Sequence, residues 1–312
     1  MVKCKLVLLL SAFTAVSFGA PPTETDYFKI TVVDDVTLRG VQLVELRTVN
    51  NARYLTDSAG VVAYFEPGVM DTTVFFELSS HGYEFKADRF GYRGARVKVT
   101  PGGSTVLKAR RVNIAQRLYR VTGGGIYRDS VLVGDEPPIQ QPVLNGQVFG
   151  SDSVVNAIFR GKIYWFWGDT NRPSYPLGNF HVPGATSLLP GDGGLDPENG
   201  IDLEYFLAKD GFAKATAQLP GKGPTWINGL VVVDDKDGRK RMFAKYVKVK
   251  PPMVVYERGL VEFNDATKQF EHRVTFPLDA ATIPHGHPIK LTEDGVEYVC
   301  FGDPYPTIRV RA

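Results

Sequence analysis

GKIYWFWGD (161–169) reads as an aromatic strand that leaves a turn and stops on Gly168 and Asp169. Two later stretches align with it without a gap, GRKRMFAKY (238–246) and GVEYVCFGD (295–303). The first and third share Gly, Tyr, a large aromatic, Gly and Asp at matching places. In the second, Tyr246 stands where the others carry Asp. An apolar strand precedes each copy: SVVNAIF (153–159), INGLVVV (227–233) and HPIKL (287–291). The turns between them are Arg160-Gly161, Asp234–Gly238 and Thr292–Gly295, so each pair is expected to form a β-hairpin.

A second hairpin type also repeats. IDLEYFLAKDGFAKATAQLP (201–220) aligns with RGLVEFNDATKQFEHRVTFP (258–277), placing Leu203 with Leu260, Phe206 with Phe263 and Pro220 with Pro277. These two begin 57 residues apart, as do the second and third opening strands. The first and second opening strands are 77 apart, and the excess lies in the loop 170–200. A four-stranded unit with a period near 57 is a β-propeller pattern. The expected fold class is all-β, an N-terminal antiparallel β-sandwich followed by an incomplete β-propeller over 146–312. That span holds two units and half of a third. Either the sequence is a fragment, the preferred reading, or a partner completes the ring. A plain all-β sandwich with chance similarity is the alternative.

Composition agrees with abundant β-structure. Of 312 residues, 12% are aromatic, and 32 Gly with 21 Pro supply many turns. Residues 1–19 read as a secretory signal peptide: Lys3 and Lys5 head an apolar run too short to span a bilayer, and Ser17 and Gly19 are small residues at a cleavage site. The expected location is secreted, periplasmic or cell-surface, with no membrane span. Without those two lysines, basic and acidic residues balance, and no clustered basic excess marks a nucleic-acid partner. Cys300 is the one cysteine after the leader, so no internal disulfide is expected and stability must come from the cores.

Residues 20–111 hold short strand-like runs separated by turn signals such as Asp57–Gly60 and Pro101–Gly103. Val41–Glu45, the run Thr56-Asp-Ser-Ala-Gly-Val61 and Ser80-His-Gly-Tyr83 together resemble the carboxypeptidase regulatory-like sandwich. That resemblance implies a non-catalytic spacer or surface module. Residues 112–145 read as an ordered connector in which 113–120 could make two helical turns. Its Gly123–Gly125 run lacks the Lys-Ser/Thr of a phosphate loop.

Chemistry is expected at one edge of the repeat, where first strands begin and second strands end. That rim collects Asp152, Asp169, Asn171, Arg172, Trp226, Asn228, Lys245, Tyr246, Glu257, His285, His287, Asp303 and Tyr305. Asp152 or Asp169 is suited to the base and His285 or His287, chiefly His287, to the proton donor of a two-group hydrolysis. Asn171, Arg172, Trp226, Asn228, His285, Asp303 and Tyr305 are candidate substrate-binding residues. Trp165 and Trp167 sit mid-strand and suit the core. Asp169 and Asp303 equally suit turn capping. Asp152, the aromatic strand closing on Gly168-Asp169, and Leu260–Phe263 resemble the five-bladed propeller glycoside hydrolases of the arabinanase, xylosidase and agarobiose-hydrolase type. The resemblance implies a carbohydrate partner and a base carboxylate at Asp152, and no clear acidic residue fills the acid position. A non-catalytic carbohydrate-binding or surface protein is the alternative. No cofactor or metal site is assigned, although the oxygen-rich loop of Asp192, Asp196, Glu198, Asn199 and Asp202 has calcium-type ligands.

Overall fold

The computed structural model describes residues 21–312, so the expected leader at 1–19 lies outside the described residues. Before residue 112 the chain forms β1 (Phe28–Asp34), β2 (Glu45–Thr48), β3 (Arg53–Leu55), β4 (Val61–Tyr64), β5 (Thr73–Ser79), β6 (Tyr83–Glu84), β7 (Gly94–Lys98) and β8 (Ser104–Arg111). They build two four-stranded sheets, β4-β1-β8-β6 and β3-β2-β5-β7. Alternation along the strands turns Ile30 and Val32, Leu46, Phe76 and Leu78, and Val97 into one shared hydrophobic cluster. The antiparallel pairing expected from the sequence does not hold throughout. β1 and β8 run parallel, from Lys29 beside Ser104 to Asp34 beside Ala109. Parallel neighbours need a crossover, and here the chain makes it through the other sheet.

The connector is not helical at 113–120. Arg117 is instead drawn to the first region, donating to the carbonyls of Gln42 and His81 and to Ser80 Oγ. The short α1 (Arg128–Leu132) follows. Its Ser130 N–H donates to Asp57 Oδ2 at 2.7 Å, while Asp57 Oδ1 accepts from Ala59 and Val61. On the other side, Asn145 donates to the Leu203 carbonyl and Tyr119 to that of Pro197.

Next come β9 (Gly150–Ser151), β10 (Val154–Phe159), β11 (Lys162–Trp167), β12 (Thr170–Arg172), β13 (Tyr175–Asn179), β14 (Gly184–Leu188) and β15 (Glu204–Tyr205). One sheet runs β10-β11-β14-β15 and a small one β13-β12-β9. The β10–β11 hairpin turns at Arg160 (φ 50°) and Gly161 (φ 79°), the left-handed pair of a type I′ turn. Its partner is not the hairpin expected at 201–220. The third strand, β14, comes from the loop read as an insertion. Its small residues are buried, and Gly184 leaves room for Phe166 and Phe206, whose ring carbons lie 3.0 Å from where a Cβ would stand. Residues 201–220 give only β15, because their apolar side chains plug two separate clusters: Phe206 and Leu219 in one, Leu203, Tyr205 and Phe212 in the other.

The last strands are β16 (Thr225–Asp234), β17 (Lys240–Lys250), β18 (Val254–Asn264), β19 (Gln269–Phe276), β20 (Ile289–Glu293), β21 (Val296–Phe301) and β22 (Ile308–Arg311). They form the antiparallel meanders β16-β17-β18-β19 and β20-β21-β22. The β20–β21 hairpin repeats the turn of β10–β11 at Asp294 and Gly295. β10 lies against β16. Between their sheets, Tyr164, Phe166, Met242, Tyr246, Phe263 and Phe270 pack in one cluster. The protein is thus all-β with several small sheets, none closed. No helix of the described residues is long and apolar enough to cross a membrane.

Candidate functional site

The β10–β11 hairpin brings Asp152 and Asp169 together, because one precedes its first strand and the other follows its second. The Asp169 N–H donates to Asp152 Oδ1 at 3.0 Å, the Gly168 N–H to the Asp152 carbonyl at 2.9 Å, and the Asp152 N–H to the Asp169 carbonyl at 3.1 Å. Gly168 is required for this seating, since a Cβ there would lie 2.2 Å from Asp152 Oδ1. Asp152 is exposed and Asp169 half-buried. At the start of β16, Trp226 Nε1 donates to Asp169 Oδ1 at 3.2 Å, so the carboxylate is shared between two sheets. Burial pushes Asp169 above the usual carboxylate range, and the Asp152 charge adds to this. The Trp226 hydrogen bond and His181 act the other way.

His181, absent from the sequence-derived set, belongs to this group. It sits between β13 and β14, and its Nδ1 accepts from the Thr225 N–H at 3.4 Å. Burial lowers its pKa, Lys248 lowers it further, and Asp169 opposes them. Lys248 is fully buried on β17, donating to the Leu219 carbonyl at 2.9 Å. Burial lowers Lys248 as well, against the attraction of Glu257. Tyr246, two residues back on the same face of β17, donates to Glu257 Oε1 at 2.8 Å. Burial pushes its phenol up to about 12. Asp169, His181, Lys248 and Glu257, on separate elements, therefore lie near enough for the Asp169 and Lys248 charges to act on His181 and the Glu257 charge on Lys248. Lys248 was legible in principle: on β17 it continues the inward face of Met242, Ala244 and Tyr246, where a lysine is out of pattern. His181 carries no such signal.

The other expected residues divide. Asn171 Oδ1 accepts from the Leu177 N–H at 2.6 Å and shapes the β12–β13 hairpin. Arg172 reaches Asp210 and Gln147 and lies over the Phe212 ring, 4.5 Å from its centroid, so it ties loops together. Asn228 pairs with Lys245 across β16 and β17, and its Oδ1 is buried without a hydrogen-bond partner. Burial, helped by Arg258, lowers the pKa of Lys245. Gly229 takes a left-handed φ of 63° beside the His285 backbone. The His285 carbonyl accepts from Gly302 N–H. His287, Asp303 and Tyr305 are exposed, and no hydrogen bond among the described residues joins them to Asp152 or Asp169.

No three His, Cys, Asp or Glu among the described residues are grouped to hold a metal ion. In the oxygen-rich loop, Asp196 Oδ1 accepts from Glu198 N–H and fastens its own turn, while Asp202 Oδ1 accepts from Gln140 N–H and ties the loop to the connector. No protein-family model matches the sequence. No curated protein matches it.

Proposed function

We propose that the chain is an exported carbohydrate-active protein, glycoside hydrolase-like, with a sandwich module ahead of propeller-type blades. The observation that carries this is the coupled pair of Asp152 and Asp169 at one edge of adjoining sheets, with Trp226 fixed on the second carboxylate. Glycoside hydrolysis needs one group that accepts a proton and one that supplies it. Asp152, open to solvent, takes the base role. Asp169 takes the acid role, because burial and the neighbouring charge favour its protonated form. This reassigns the donor from His287, which lies exposed ahead of β20 without a bond to the pair. His181 sits where its charge state biases Asp169.

The test is release of reducing sugar from a panel of neutral oligosaccharides by the protein, Asp152→Asn and Asp169→Asn. Each variant is expected to lose turnover by about 10²–10⁴-fold. A raised Asp169 keeps its proton until pH passes its own pKa, so the rate falls on the alkaline side of that value and Asp169→Asn abolishes this limb. Unchanged turnover in Asp152→Asn removes the carboxylate pair from the mechanism. Glycan retention without turnover, sensitive to Trp226→Ala but not to Asp152→Asn, favours a non-catalytic binding protein.

A further inference from the structure

We infer that the cavity between the connector and the β10–β11–β14–β15 sheet is a second, non-catalytic site for a short neutral oligosaccharide. It lies on the face of that sheet turned away from β16–β19: Tyr164 and Phe166 point into the cluster shared with that meander, so Ile163 and Trp165 point the opposite way. The cavity encloses about 1070 Å³ and is lined by neither Asp152 nor Asp169. Its volume is at the upper end of ligand pockets, which run roughly 300–1,000 Å³.

Three features of the lining select the ligand. Its floor is a fixed aromatic plane. Trp165 Nε1 donates to Ser187 Oγ at 2.9 Å, and its ring stacks on Trp167 at 13° between planes. Beside it, Ile163 and Leu188 are apolar. A flat, immobile ring flanked by alkyl groups fits the C–H face of a pyranose. Next, the lysine of the lining is already engaged. Lys162 bridges Glu204 at 3.2 Å, and Asp202 accepts the Gln140 N–H. An anionic ligand therefore finds no unpaired cation among the described residues of the lining, and the Asp202 carboxylate repels it. What stays open is neutral hydrogen-bonding capacity. The Gln140 and Gln141 side chains are exposed at the mouth with no partner among the described residues. Asn145 and Gln147 also line the cavity, although both amides are already engaged, Asn145 with the Leu203 carbonyl and Gln147 with Arg172 and the Asp210 carbonyl. The two free glutamine amides, which both donate and accept, are matched by sugar hydroxyls, each of which does the same.

Calorimetry on the Asp152→Asn protein, which separates binding from turnover, tests the site. The probes are cellotetraose, xylotetraose and mannotetraose, with trigalacturonate as the acidic control. At least one neutral tetraose is expected to bind and to change tryptophan fluorescence, and trigalacturonate is not. The double variant Gln140→Ala/Gln141→Ala, altered only at exposed positions, should bind at least about tenfold more weakly with an unchanged melting temperature. Trp226→Ala, at the carboxylate pair, should leave this binding intact. The inference is overturned if no neutral tetraose binds, if trigalacturonate binds equally well, or if the glutamine variant binds like its parent. Because the catalytic pair is already disabled, failure here is distinct from failure of the proposed hydrolysis.

Discussion

Gly168→Ala probes the carboxylate pair through its steric requirement. The new Cβ would stand 2.2 Å from Asp152 Oδ1, so the carboxylate must retreat by about 1 Å to reach van der Waals separation. That movement breaks the 3.0 Å hydrogen bond from the Asp169 N–H. A hydrogen bond to a charged group contributes about 1.5–3 kcal/mol, and Asp152 is exposed and recovers water, so the net loss should be about 1–2 kcal/mol. Urea unfolding followed by tryptophan fluorescence measures it, and Trp226 lies beside the pair. The decisive comparison is a double-mutant cycle. In an Asp152→Ala background the obstructing oxygen is gone, and Gly168→Ala should cost little, giving a coupling of about 1–2 kcal/mol. If Gly168→Ala costs the same in both backgrounds, to within roughly 0.5 kcal/mol, the two residues do not depend on each other and the reasoning fails.

Lys248→Met tests the buried lysine. Because burial lowers its folded-state pKa, the charged form is penalised at neutral pH, and the penalty is relieved as pH rises from the folded value toward the unfolded one. Wild type should therefore gain stability relative to Lys248→Met on going alkaline; parallel stability profiles for the two proteins would exclude this. Asp57→Ala removes the acceptor of three N–H groups, two in its own turn and one from Ser130. It should cost about 3 kcal/mol and speed proteolysis within 112–145, and equal cleavage rates would show that the connector is held by other contacts. Arg117→Ala should loosen the same connector, since its guanidinium holds Gln42, Ser80 and His81. The readout is faster amide exchange in 113–120 against wild type, and unchanged exchange would sink it.

The elements that local chemistry dictates were legible in the sequence. Arg160-Gly161 and Asp294-Gly295 need left-handed backbone at both turn positions, and each lies between apolar runs, so both hairpins form where expected. Asp152 and Asp169 follow from the same geometry, since hairpin ends must meet. What escaped was decided by packing. GATSL at 184–188 lacks the bulky residues of a strand, yet smallness is what lets it slide between Phe166 and Phe206. Conversely, 201–220 matches the periodicity of 258–277 but spends its apolar residues on two different clusters. His181 and Lys248 are joined to Asp169 by proximity across three elements, and no spacing along the chain encodes that. His287, the expected donor, is exposed ahead of β20 and makes no hydrogen bond to the carboxylate pair.

The parallel pairing of β1 with β8 has a mechanical consequence. The two strands bounding this region point the same way, so the chain comes in at one end of the sheet and departs at the other, roughly 20 Å away for a seven-residue strand. Tension applied along the polypeptide, from an attachment before Phe28 to a load beyond Arg111, therefore acts in shear. The ladder from Lys29–Ser104 to Asp34–Ala109 must yield all at once rather than peel open bond by bond. The Asp34–Arg111 ion pair, 2.9 Å long with its carboxylate buried, pins the far end of that ladder. A region built this way transmits pulling force to whatever follows it while keeping its own shape.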